Sequence, residues 1–271
     1  MHTKILPPKS IEFINLPEVW RYRSLFGTLA LRDIKLRYRQ TFLGMVWVII
    51  QPLFTSAVFA LIFGRFGNLP SGDVPYEVLA FAALLPWNLV SQAINRASTS
   101  LVRDMRMVTR VFFPRIIIPV SSTVSALLDF LISFIVLLII LTFYHLPITG
   151  RIALTPLLAV IAWLLAVSVS LLISALNVYY RDFQYAVSFV LQAWLYISPV
   201  AYASSIVPEN LRGWYALNPM VGIIEAFRWV FIGSSEFPFQ ELGLSLLFVI
   251  ILFPVSLVIF QKIEKYFADV I

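Results

Sequence analysis

The sequence predicts an all-α membrane protein with six transmembrane helices, an N-terminal amphipathic interface helix, and re-entrant helices on the outer side between helices five and six. Three observations carry that prediction. Hydrophobic residues make up 60% of the 271 residues and charged residues only 13%, against about 25% charged in an ordinary soluble domain; the mean hydropathy is +0.89. The apolar runs reach the roughly 20 residues that one helix needs to cross a bilayer. Finally, the cations are segregated along the chain, as they are when short cytoplasmic loops hold the excess of Lys and Arg.

Residues 1–43 read as a cytoplasmic N-terminus, and residues 44–271 as the transmembrane domain. More than forty mostly polar residues precede the first span, so no cleavable signal peptide is expected and the chain should stay whole. The stretch "LRDIKLRYRQTFLGMVWVIIQPLF" (31–54) passes from basic to apolar without a linker. Drawn as a helix, Arg32, Lys35 and Arg39 share one face, and Leu31, Ile34 and Tyr38 repeat that spacing one residue earlier. Such a helix lies in the interface with its cations at anionic headgroups and its apolar stripe in the acyl boundary. The same charges could instead serve only to orient the chain. Thr41 to Gly44 then make the turn into the first span.

Spans are expected at about 44–64, 76–95, 116–144, 152–176, 183–202 and 242–260. With the N-terminus inside, sixteen of the twenty Lys and Arg fall on the cytoplasmic side, and only Arg65, Arg151, Arg212 and Arg228 fall outside. The apolar stretch Trp214 to Ile232 is broken by Pro219, Gly222, Glu225 and Arg228. A crossing there would carry Lys262 and Lys265 to the outer face, so 203–241 reads as a re-entrant region, and both termini are cytoplasmic.

Catalytic chemistry is hard to build from these residues. There is no GxxxxGK[ST], HExxH or GxSxG motif and no carboxylate cluster, and the chain has two histidines and no cysteine. No enzyme activity, metal or cofactor is expected in this chain, and a pump built from it must borrow its ATPase. The net charge of +6 would suggest nucleic acid for a soluble protein; here its distribution assigns it to the membrane face, and no nucleic-acid partner is expected.

Asp129 lies about thirteen residues into the third span, with Ser122, Ser125 and Ser133 on its face. An intramembrane acid is costly, which makes it either a functional group, for instance of a proton-coupled carrier, or a hydrogen-bonded packing residue. Two spans carry a glutamine bracketed by rings at helical spacing: Trp47, Gln51 and Phe54 in the first, and Tyr185, Phe189, Gln192 and Tyr196 in the fifth. Flat rings with polar edges and a two-way hydrogen-bonding amide suit a sliding hydroxyl-rich polymer. They equally suit contact with lipid or helix packing. Two cytoplasmic segments read as docking surfaces: the loop 96–115, with Arg103, Arg106 and Arg110 at helical spacing, and the turn at Arg181 and Asp182.

The basic helix before "TFLGMVWVIIQPL", the loop ending "RVFFPRIIIPV", the turn "LNVYYRDF" and the outer "LNPMVGIIEAFRW" recur in order over about residues 20–265. Together they resemble the membrane permease subunit of ABC exporters of lipid-linked polysaccharide, the O-antigen, capsule and teichoic-acid exporters. The resemblance implies a homodimer in the bacterial cytoplasmic (inner) membrane bound to two copies of an ABC ATPase subunit, which holds ATP and Mg. It implies that Arg103, Asp104, Met105, Arg106, Arg110, Arg181 and Asp182 face the ATPase, and that helices one and five meet across the dimer, setting both aromatic stripes along the polymer path. It places Arg32, Lys35, Arg37 and Arg39 at the pyrophosphate of a polyprenyl-pyrophosphate-linked polysaccharide or at lipid headgroups. Asn218, Pro219, Glu225 and Arg228 fall in the outer re-entrant region. The competing expectations are an ABC permease for a small lipid or drug-like substrate, a proton-coupled carrier using Asp129, and a membrane enzyme acting on polyprenyl lipids.

Overall fold

The computed structural model describes residues 16–39, 44, 46–70, 74–233 and 236–267. Lys4, Lys9 and most of the expected turn, Thr41 to Leu43, lie outside them. The described residues are helical, with no strand among them. The N-terminal arm is α1 (Leu16–Arg21) and α2 (Arg23–Tyr38); α3 (Val46–Phe59) runs on as a π-helical stretch, Ala60–Phe66. Then come α4 (Tyr76–Ser98), the short α5 (Ser100–Arg103) and α6 (Met105–Arg110), α7 (Ile117–Phe143) and α8 (Thr155–Tyr179). The chain ends with α9 (Phe183–Ile197), α10 (Glu209–Tyr215), α11 (Pro219–Phe231) and α12 (Phe239–Glu264).

Among the described residues, five stretches are long and apolar enough to cross a membrane: Val46–Phe66, Tyr76–Arg103, Ile117–Phe143, Gly150–Tyr179 and Phe239–Glu264. Each overlaps a span expected from the sequence. The remaining expected span, 183–202, is the shorter α9, with 15 residues. At 1.5 Å per residue it is roughly 22 Å long, less than a hydrocarbon core of about 30 Å. Its end is set by Pro199, which disfavours the helical region at the residue before it; Ser198 is extended, with φ −91° and ψ 153°.

The core forms around α4, which packs against α3, α7, α8, α9 and α11. Ala80, Ala82, Ala83, Ala93 and Ala97 of α4 are fully buried, and such small side chains let apolar helices approach closely where no hydrophobic drive separates protein from lipid. Beside it, Phe130 and Phe134 of α7 meet Phe227 and Phe231 of α11, both cross pairs having ring centroids 6.0 Å apart. Edge-on and tilted pairs of this kind contribute about 0.5–1.5 kcal/mol each beyond burial.

α11 is short, 13 residues, and almost wholly buried. Asn218 starts it: its Oδ1 accepts from the Met220 N–H at 3.0 Å and from the Trp194 indole at 2.9 Å, while its Nδ2 donates to Ser198 Oγ at 3.0 Å. Pro219 follows at the first helical position, where a missing N–H costs nothing. α11 then crosses α12 so closely that a Cβ on Gly222 would meet the Glu241 carbonyl and Ser245 Oγ. Gly222→Ala should therefore destabilise the protein by about 1–3 kcal/mol, the usual cost of overpacking. Gly243→Ala, whose Cβ would meet nothing within 4 Å, should leave thermal stability in detergent unchanged. Equal melting midpoints for the two variants would contradict this crossing.

Candidate functional site

Two Arg–Asp dipeptides, Arg32–Asp33 and Arg103–Asp104, interlock at one end of the bundle, where α2 passes α5. Arg32 Nη1 and Nη2 donate to the two oxygens of Asp104 at 2.9 and 2.6 Å, a bidentate pair. Arg103 Nη2 in turn donates to Asp33 Oδ2 at 2.9 Å. Each arginine thus takes the aspartate of the other dipeptide. Arg32 also reaches its neighbour Asp33 at 3.0 Å, and hydrogen bonding to Asp104 leads the causes that hold its guanidinium above the ordinary pKa. Ser122 Oγ of α7 donates to Asp33 Oδ2 at 2.9 Å, so the crossed pair is anchored to a long apolar helix.

A second cluster lies two turns along the same face of α7. Asp129 Oδ1 accepts from the Tyr38 hydroxyl at 2.6 Å, and Oδ2 takes Arg96 at 2.5 Å and also Arg37. Arg96 Nη1 donates to Ser125 Oγ at 2.6 Å. Burial first, and then the bond to Asp129, push the Tyr38 phenol above its ordinary range, so it stays a donor. Ser122, Ser125 and Asp129 stand at i, i+3 and i+7, the spacing that puts residues on one helix face. Together they join the crossed dipeptides to the intramembrane acid along α7.

The two clusters differ in charge. In the first, two arginines meet two aspartates; in the second, among the described residues, Arg37 and Arg96 share Asp129 alone as counter-charge, leaving one excess positive charge. Beside it is a small polar cleft lined in part by Arg37, Gln51, Asn88, Gln92, Asp129 and Ser133. Buried charges are stable only when paired and hydrogen-bonded, and all three aspartate side chains are at most 12% exposed. The cluster is thus an ionic joint between α2, α4, α5 and α7.

The sequence places the cations of α2 at headgroups and its apolar stripe in the acyl boundary, and does not say which side packs on the bundle. Leu31 is 58% exposed, whereas Leu29 and Ala30 are buried and Asp33 and Arg37 follow Leu29 turn by turn onto α7. Charged residues of α2 turn inward because partners of opposite sign wait at Arg103 of α5, at Asp104 and at Asp129 of α7. Of the cations expected at headgroups, Arg32 and Arg37 are bound in the joint, and Lys35 and Arg39 are exposed. Of the docking residues, Arg103 and Asp104 belong to the joint, Met105 is half-buried, and Arg106, Arg110, Arg181 and Asp182 are exposed.

Both glutamine–aromatic stripes face outward. Trp47, Phe54, Tyr185, Phe189 and Tyr196 are all more than half exposed, with Gln51 and Gln192 between them. Their helices, α3 and α9, both pack on α4. At the far end, Arg228 is buried, pairs with Glu225 at 3.0 Å and donates to the carbonyls of Tyr202 at 2.9 Å and Val200 at 3.3 Å. Ser204 Oγ donates to Glu225 at 2.6 Å. Asn218, Pro219, Glu225 and Arg228 therefore fix the segment after α9 onto α11.

Sequence reasoning missed Asp33, Tyr38 and Arg96 as members of the joint. The repeated Arg–Asp dipeptide was a signal for the first of them. It also missed Phe112, which follows α6 and is 88% exposed, while Tyr22 Oη donates to its carbonyl at 3.3 Å.

The sequence pattern of the ABC-2 type transporter family matches residues 24–232. The chain is 30% identical over 258 residues to an O-antigen export system permease protein of Myxococcus xanthus, covering 93% of this chain and 97% of that protein. It is 27% identical over 242 residues to an O-antigen export system permease protein of Klebsiella pneumoniae, covering 89% and 92%. A capsule polysaccharide export inner-membrane protein of Neisseria meningitidis serogroup A is 24% identical over 255 residues, covering 90% and 92%.

Proposed function

Because the chain belongs to the ABC-2 type transporter family, we propose that it is the membrane permease subunit of an ATP-driven exporter of polyprenyl-linked polysaccharide, most closely of the O-antigen type. The observation that carries this reading is the similarity, over 93% of the chain, to a permease named for O-antigen export. In this reading a homodimer sits in the bacterial cytoplasmic membrane with both termini inside. Two copies of a separate ATPase bind ATP and Mg and supply the hydrolysis.

The geometry supports a route for the force. The loop 96–115 would dock on the ATPase through Met105, Arg106 and Arg110, with Arg181 and Asp182 at its side. ATP binding would displace α5 and α6, and the crossed Arg32–Asp104 and Arg103–Asp33 pairs would carry that displacement to α2 and α7. Arg37 and Tyr38 would pass it to Asp129, next to the cleft that Gln51 lines. The stripe Trp47, Gln51, Phe54 on α3 and the stripe Tyr185, Phe189, Gln192, Tyr196 on α9 would line the polymer path at the dimer seam, α9 acting as the short sixth span. Exposed Lys35 and Arg39 would meet the pyrophosphate or headgroups, and α10 and α11 would form the re-entrant cap on the outer side. Only a difference in ATP affinity between the two states can drive such a cycle.

Asp129 serves here as an anchor. Two guanidinium groups and a phenol occupy its oxygens, an arrangement that suits a joint better than a proton relay. Co-purification with the partner ATPase tests the docking surface. Arg106→Ala and Phe112→Ala, both at exposed positions, should each lower recovery of the complex at least tenfold, the scale of an interface hot spot. Wild-type recovery in both would remove this segment from the interface.

A further inference from the structure

On the side of the bundle away from the cleft beside Asp129, a cavity of about 440 Å³ opens between the N-terminal arm, α7, α8 and α12. Val19, Phe26, Val120, Trp163 and Leu257 are among its lining residues, and Gln261 supplies a polar edge. The Trp163 N–H is committed to Thr123 Oγ1 at 2.9 Å, so the indole offers the cavity its apolar ring. Water would find few partners there. The α12 wall runs from Phe253 to Gln261, roughly 12 Å at 1.5 Å per residue, a slot rather than a sphere.

Two of the lining stripes continue into cations. On the N-terminal arm, Arg23 falls between Val19 and Phe26 at helical spacing; on α12, Leu257 and Gln261 lead one turn on to Lys265. Both Arg23 and Lys265 are exposed. Among the described residues of this corner, Arg21, Arg23, Lys262 and Lys265 are exposed cations, and Glu264 is held by Arg115, whose backbone N–H donates to it at 2.9 Å. The corner lies at the end of the bundle that carries α5 and α6, the end read as cytoplasmic. An apolar slot with a basic rim at that level matches a lipid of the inner leaflet, with chain in and headgroup out.

We propose that this cavity is a binding site for one acyl chain of an anionic glycerophospholipid, whose headgroup is met by Arg23 and Lys265. The site is separate from the polymer path and does not depend on what the protein exports. Its occupant would brace α1 and α2 against α7, α8 and α12 from the side opposite the ionic joint.

The test uses the full chain in phosphatidylcholine vesicles containing a few mole per cent of phosphatidylglycerol with brominated acyl chains, which quench tryptophan on contact. The signal of Trp163 is taken as the difference between the protein and Trp163→Phe. Brominated phosphatidylglycerol should quench that signal at least threefold more effectively than brominated phosphatidylcholine. The preference should vanish in Arg23→Ala/Lys265→Ala, and the quenching itself should fall in Val258→Phe, which fills the slot from a half-buried lining position. Equal quenching by the two lipids, no quenching of Trp163, or quenching displaced only by polyprenyl phosphate would each overturn the proposal.

Discussion

Reversing one charge in the crossed pair, Asp33→Arg, should abolish ATP-driven export, and adding Arg103→Asp to the same chain should restore much of it. In the single variant a new cation stands between Arg32 and Arg103, and Ser122 loses its acceptor. Removing one partner of a buried pair costs about 3–5 kcal/mol, which at about 1.4 kcal/mol per tenfold step amounts to a loss of 100-fold or more. The double variant re-forms the pair with its polarity exchanged, and Ser122 can accept from the new arginine. Export by the double variant should return to within about tenfold of wild type, measured as ATP-dependent transport at matched protein levels. If the double variant is no better than the single, the two residues do not act as a pair.

The second large effect falls on the anchor. Asp129→Asn keeps a hydrogen-bond acceptor for Tyr38 but leaves Arg37 and Arg96 without a counter-charge among half-buried and buried neighbours. The expected cost is again about 3–5 kcal/mol, enough to lower the melting midpoint in detergent by roughly 6–20 °C for a chain of this size. Asp129→Asn/Arg96→Gln should recover most of that loss, because one remaining guanidinium can turn towards the polar cleft. A proton relay predicts the opposite pattern. There, Asp129→Asn would leave stability near wild type, the second change would restore nothing, and only transport would fail.

Much of this architecture was legible from hydropathy and punctuation. The five long apolar helices overlap their expected spans because spans that must bury backbone groups in lipid leave an unambiguous apolar run. The broken pattern at Pro219, Gly222, Glu225 and Arg228 coincides with a short, largely buried helix, α11. The early end of α9 was written in Ser198–Pro199 but hidden by the apolar residues beyond it. What periodicity could not supply was partner choice. Arg32 and Asp104 are 72 residues apart, and nothing local distinguishes an arginine awaiting an aspartate from one awaiting a headgroup. The same limit hid the packed face of α2, where the helix turns charged residues inward because Arg103, Asp104 and Asp129 answer them. The third Arg–Asp dipeptide, Arg181–Asp182, remains exposed, so the dipeptide alone did not announce the joint.

The most direct test of the central reading is to reconstitute this chain with its partner ATPase in sealed vesicles and follow a lipid-linked polysaccharide across the membrane. The account predicts a complex with equal numbers of the two subunits. Transport should require hydrolysable ATP, and Asp33→Arg should remove transport while leaving the complex assembled. Transport by the chain alone, driven by a proton gradient and indifferent to the ATPase, would contradict it.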